Sequence, residues 1–226
     1  MSTNQRHYLQ DLIKQGEHQQ QDFKYKIEDA PKLARSVSAF ANTDGGRLLI
    51  GVRDDGSIHG VRSEEEIFMM HAAAYKFCIP QPTIKFETLH VPTDPHGGHL
   101  RTVVVCTIEP SLLRPVLAIE DDKRTAYIRV ADENIVASPV HLVIWRQESL
   151  LQGEAYGDTP AEHVLLAILN QHPEGLPLNS LLKAVSAGLT SHLARPLGIT
   201  LLARFIRFGL ARIERHDQSW LFLPSA

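Results

Sequence analysis

From Asp29 to Val52 a helical hydrophobic period gives way, across a pair of glycines, to an unbroken apolar run. Asp29 offers an N-cap and Pro31 a first-turn residue, and Leu33, Val37, Phe40 and Ala41 follow at helical spacing. The helix is expected to end in Asn42-Thr43-Asp44-Gly45-Gly46, with Leu48-Leu49-Ile50-Gly51-Val52 directly after it. That run is too apolar for a strand with one wet face, so it belongs at the centre of a sheet. A purely helical or purely β domain does not accommodate this passage, and the expectation is α/β (α+β) with a mixed sheet.

The remaining periods extend this reading. A first helix is expected over Gln5–Gln15 with Gly16 as its stop, and an alternating strand over Gln21–Tyr25. Asp54-Asp55-Gly56 marks a hairpin turn, with Ile58 starting the return. Ser63-Glu64-Glu65-Glu66 has the form of a capping box opening a helix to about Phe77. Strands follow over Thr83–Val91, Leu100–Ile108, Val116–Glu120 and Thr125–Val130, with a turn at Asp94–Gly98, and a helix starts at Ser138-Pro139. The α/β domain thus occupies residues 1–150, and residues 151–158 form a polar linker. Residues 159–226 read as helices over Pro160–Asn170, Leu178–Ala187 and Ile199–Phe208, then two short strands around His216–Ser219. Three helices and a terminal hairpin are the pattern of a small winged helix-turn-helix domain.

Composition narrows the class. With 226 residues, 43% hydrophobic and 22% charged, the chain is neither disordered, collagenous nor a disulfide scaffold. Its apolar runs fall far short of the ~20 residues a membrane span needs. The first residues carry no secretory pattern, and Cys78 and Cys106 suit buried reduced thiols, so a cytoplasmic protein is expected. The net charge of −3 gives no global pull toward nucleic acid, but residues 159–226 hold 6 Lys/Arg against 4 Asp/Glu.

Several segments could carry chemistry. Asp22 and Lys24 share one face of a strand, a spacing that suits phosphodiester chemistry if Glu17 and Asp54 converge on them. The same residues also suit a solvated ion pair, a first-turn acid and a turn residue. The loop Asn42, Thr43, Gly45, Gly46 could cradle a phosphate, yet it leaves a helix and enters a strand, the reverse of a phosphate loop. A helix C-cap with a tight turn is the structural alternative. His96, His99 and Asp94 flank a Gly-Gly turn and suit a solvated loop better than a metal site. Arg195, Arg204, Arg207, Arg212 and Arg215 could face DNA phosphates, or form the solvated basic face of an interaction module.

Gly16-Glu17, Asp22-Phe23-Lys24 and Ser38 through Gly56 together resemble the Schlafen-type AlbA-like domain, long labelled a divergent AAA or ATP-binding domain. Ala126-Tyr127-Ile128-Arg129-Val130 is similar to the family's closing strand, in which Ala131 replaces a usual Gly. The resemblance covers roughly residues 8–148. In bacteria such domains often precede a winged-helix tail and are described as transcriptional regulators. It therefore implies a nucleic-acid partner, DNA before RNA, with Arg129 joining the expected contacts. It also implies an alternative: cleavage of structured RNA by Mg²⁺ or Mn²⁺ held on carboxylates equivalent to Glu17, Asp22 and Asp54. Asp22 stands where the family usually has Glu, and the animal enzymes use a duplicated domain that a homodimer of this chain could replace. ATP binding, the older family label, is a second alternative that the reversed loop polarity does not favour.

Overall fold

The computed structural model describes residues 2–92, 99–148, 159–189 and 193–225, with side chains from residue 5 onward. Its elements are α1 (Ser2–Lys14), β1 (Gln21–Lys24), α2 (Ala30–Asn42), β2 (Gly46–Ile50), α3 (Ser63–Tyr75), β3 (Cys78–Ile79), β4 (Ile84–Pro92), β5 (Leu100–Ile108), β6 (Leu117–Glu120), β7 (Lys123–Val130) and β8 (Glu133–Val136). They continue as α4 (Pro139–Gln147), α5 (Pro160–Gln171), β9 (Leu176–Pro177), α6 (Leu178–Ala187), α7 (Arg195–Arg207), β10 (Ala211–His216) and β11 (Ser219–Pro224). The protein is α/β, in two compact units spanning Met1–Val136 and Ala137–Ala226. Among the described residues no helix is long and apolar enough to cross a membrane. The turn expected at Asp94–Gly98, with His96, and the linker expected at 151–158 lie outside the described residues.

In the first unit one sheet has the order β1-β2-β5-β4, with β1 parallel to β2 and the other pairs antiparallel. β2 is interior, and its alternation explains why its sequence is apolar throughout. Leu48 and Ile50 enter the core formed with α2 and α3, whereas Leu49 enters the core formed with α1, Phe23 and Val103. Covering both faces removes Leu48, Leu49 and Ile50 wholly from water, each contributing about 1.5–3 kcal/mol. A second sheet, β3-β6-β7-β8, packs on α2, which therefore touches both sheets.

Asp29 caps α2 by accepting from Lys32 N, with Pro31 in the first turn. The capping box expected at Ser63–Glu66 does not form. Arg62 is the N-cap of α3, and the Glu66 carboxylate instead accepts from Ile27 N at 2.9 Å. Glu66 serves an uncapped amide elsewhere in the chain rather than its own helix.

The second unit begins earlier than the expected boundary near 150. α4 packs on α7, and Val140 lies in one core with Leu165, Leu181, Leu202, Phe205 and Phe222. Here α5, α6 and α7 precede the antiparallel pair β10–β11, and β9 joins β11 to give the order β10-β11-β9.

Candidate nucleic-acid interface

β1 is an edge strand, and the segment before it is tied down from both ends. Gln21 Nε2 donates to Leu12 O and Gly16 O, closing the end of α1, while Arg47 Nε donates to Gln21 Oε1. This brings Glu17 beneath the strand, where its carboxylate accepts from Phe23 N at 2.8 Å. Asp22 is almost fully buried. Its Oδ2 stands 2.5 Å from Lys24 Nζ and its Oδ1 3.5 Å from Arg129 Nη2. Burial, a hydrogen bond to Asp22 and repulsion from the same carboxylate push the Glu17 carboxyl up from its ordinary value.

These residues do not fit a divalent cation. Asp22 already carries two cationic side chains, Glu17 is spent on the strand edge, and Asp54 sits exposed on the turn after β2. Among the described residues no three His, Cys, Asp or Glu side chains group closely enough to hold a metal. The structure brings Glu17, Asp22 and Lys24 together and does not add Asp54 to a ligand set. Asp22 Oδ2 accepts no aligned hydrogen bond and faces the Lys24 ammonium, while Oδ1 faces Arg129.

The Asn-Thr-Asp-Gly-Gly loop is a clamp between α2 and the second sheet. Asn42 Nδ2 donates to Val116 O and Tyr127 O, and its Oδ1 accepts from Val116 N at 2.7 Å. Thr43 Oγ1 donates to Ala39 O and accepts from Arg129 N. Gly45 has φ +68°, and a Cβ there would lie 2.7 Å from Pro110 Cδ; one on Gly46 would lie 2.5 Å from the Phe40 ring. Gly45 N donates to Phe40 O, so that amide is committed to the helix end.

Arg129, expected to contact nucleic acid, is only 2% exposed. Its guanidinium reaches Asn134 Oδ1, Gln21 O and Asp22, and rests 5.0 Å over the Phe40 ring. Its position between β1, α2 and β8 leaves no face for a phosphate. This corrects the expectation that placed Arg129 on the binding surface.

The tail arginines differ among themselves. Arg195 Nη1 donates to Asn179 Oδ1, and Arg212 bonds Glu214 and Pro224 O; both remain exposed. Arg204 is 24% exposed, with Nη1 3.5 Å from the buried Glu162, whose other oxygen completes the α5 capping box with Thr159. Arg204 is therefore part of the fold rather than a free phosphate contact. Arg215 is half-buried with its guanidinium 5.4 Å over Trp220. Arg207 is exposed on the last turn of α7.

Sequence reading missed an aromatic and cationic cluster centred on Tyr25, just after β1. Tyr25 is 37% exposed, its ring 4.3 Å from that of His59, with the Arg53 guanidinium 4.9 Å and Lys26 Nζ 5.8 Å from its centroid. Lys24 and Lys26, on either side of Tyr25 in the chain, line a cleft of about 890 Å³ together with Lys32 and Arg35 and with the acids Glu28, Asp29 and Glu133. The only sequence hint is Lys24-Tyr25-Lys26, since His59 lies 34 positions from Tyr25.

Residues 17–138 match the family described as Schlafen, AlbA_2. The chain is also similar to a "Probable Xaa-Pro aminopeptidase" from Pyrenophora teres f. teres (strain 0-1), 25% identical over 72% of this chain and 17% of that protein. A protein of the same description from Pyrenophora tritici-repentis (strain Pt-1C-BFP) is 24% identical over 72% of this chain and 24% of its own length. The chain thus spans a quarter or less of these relatives. Among solved structures it resembles the DIP2311 protein from Corynebacterium diphtheriae, with a TM-score of 0.41 and 20% identity over 70% of this chain and 30% of that one.

Proposed function

The chain belongs to the Schlafen AlbA_2 family, and on that footing we propose that it is a nucleic-acid-binding protein acting as a DNA-binding transcriptional regulator. The observation that carries the finer reading is the succession α5, α6, α7 and then the β10–β11 pair within the second unit, with Arg195 and Arg207 exposed on α7 and Arg212 on β10. We read this unit as a winged helix, with α7 as the helix that enters a DNA groove and β10–β11 as the wing. Phosphate contacts from exposed arginines would position it, and the exposed face of α7 would read base edges. The nuclease alternative draws no support from the carboxylates, which do not assemble as a metal site. Nor does the Gly45-Gly46 loop support ATP binding, because it caps a helix C-terminus.

The test is recovery of DNA fragments bound by the full chain from sheared total DNA, followed by sequencing. A reproducible short duplex motif among the bound fragments is the expected result. Recovery indifferent to sequence would overturn the regulator reading.

A further inference from the structure

We infer that the first unit carries a second nucleic-acid surface, a platform for an unpaired strand built on Tyr25, His59 and Arg53. The inference rests on the nucleic-acid reading above and assigns a substrate class to a different unit. The Tyr25 and His59 rings meet at 4.3 Å with their planes tilted by 48°, and the Arg53 guanidinium lies 4.9 Å from the Tyr25 centroid, so two aromatic rings and a planar cation share one spot. Bases stack on aromatic and guanidinium planes alike, and positive charge beside them holds the backbone. In a duplex the base faces are already stacked on one another, so only an unpaired base can join such a platform.

The surroundings supply the backbone's track. Of the cations lining the adjoining cleft, Lys24, Lys26 and Arg35 are paired with Asp22, Glu28 and Glu120, while Lys32, and Arg53 beside Tyr25, form no ion pair among the described residues. The cleft also carries Glu28, Asp29 and Glu133: Glu28 pairs with Lys26 at 2.5 Å and Asp29 accepts from Lys32 N, while on the Arg53 turn Asp55 accepts from Ser57 N. Phe23, two residues earlier, is buried in the core, as alternation requires, while Tyr25 falls past the end of β1 and keeps more than a third of its surface exposed.

DNA and RNA single strands share this chemistry, so the experiment carries both. The full chain is titrated with 2-aminopurine-containing single-stranded DNA, single-stranded RNA and the same DNA as a duplex. Single strands of at least one kind are expected to bind, with the 2-aminopurine signal changing on stacking. Tyr25→Leu should weaken that binding by roughly 5- to 100-fold, Tyr25→Trp should restore it, and duplex binding should be unaffected. Arg53→Gln, on an exposed turn, should weaken single-strand binding without changing thermal unfolding. Single-strand binding unchanged in Tyr25→Leu would overturn the platform and leave the duplex reading intact. A wild-type chain that binds none of the three probes would overturn both.

Discussion

Arg129 Nη2 stands 3.5 Å from Asp22 Oδ1 with both side chains almost wholly out of water. Arg129 is also held by Gln21 O and Asn134, while its Nε has no partner. The guanidinium thus depends on Asp22 for charge compensation, and the pair ties the closing strand β7 to the edge strand β1.

Removing one partner of such a pair strands a buried charge. Asp22→Ala should lower the stability of the first unit by about 3–5 kcal/mol, because Arg129 loses its counter-charge where water cannot reach it. Denaturant unfolding followed by circular dichroism measures this. A loss below about 1 kcal/mol would mean that Arg129 is not buried as described.

Both tryptophans, Trp145 and Trp220, lie in the second unit and contact the His141 ring at 5.6 and 4.8 Å. Burial lowers the His141 pKa to about 4. In the unfolded chain the ring titrates near 6.5, so between 6.5 and about 4 the unfolded state binds the extra proton. Stability is therefore full above pH 6.5 and falls as the pH drops through this window, by a total on the order of 3 kcal/mol. Tryptophan fluorescence during urea unfolding reports on this unit. His141→Gln should flatten the pH dependence, and an equal slope in the variant would contradict the assignment.

Much of the fold is legible locally, and the exceptions share a cause. The apolar run Leu48–Ile50 announces an interior strand, and Leu178–Ala187 is read to the residue because its period and ends are self-contained. β3, β8 and β9 are two to four residues long and are defined by the strands they join, not by any pattern of their own. Arg129 departs from the surface position expected of it because an arginine is nearly always a surface residue, and only the partners contributed by β1 and β8 permit its burial. Glu66 followed its helix in sequence but serves Ile27 in space. Of the candidate site, Asp22 and Lys24 are visible as a same-face pair, whereas the tilted Tyr25–His59 ring contact joins distant segments through tertiary structure alone.

Since Glu17 and Asp22 are committed to Phe23 N, Lys24 and Arg129, millimolar Mn²⁺ should not raise the thermal midpoint of the first unit. An ion held at a hundred times its dissociation constant would add about 2.7 kcal/mol. Calorimetry with Mn²⁺ and with chelator should superimpose. A Mn²⁺-dependent rise that disappears in Glu17→Gln would contradict the fit described here.

Arg204 and Arg207 separate fold from binding on one helix. Arg204→Ala leaves Glu162 buried without its cation and should cost stability, whereas Arg207→Ala removes an exposed charge and should leave unfolding unchanged. The most direct measurement is fluorescence anisotropy of labelled duplex DNA titrated with the full chain across a series of salt concentrations. Saturable binding is predicted at low salt, with affinity falling steeply as salt rises and a slope shallower by about 1 in Arg207→Ala, as counterion release requires. Absence of duplex binding at about 50 mM salt, or a salt slope and affinity unchanged in Arg207→Ala, would contradict the DNA-binding account.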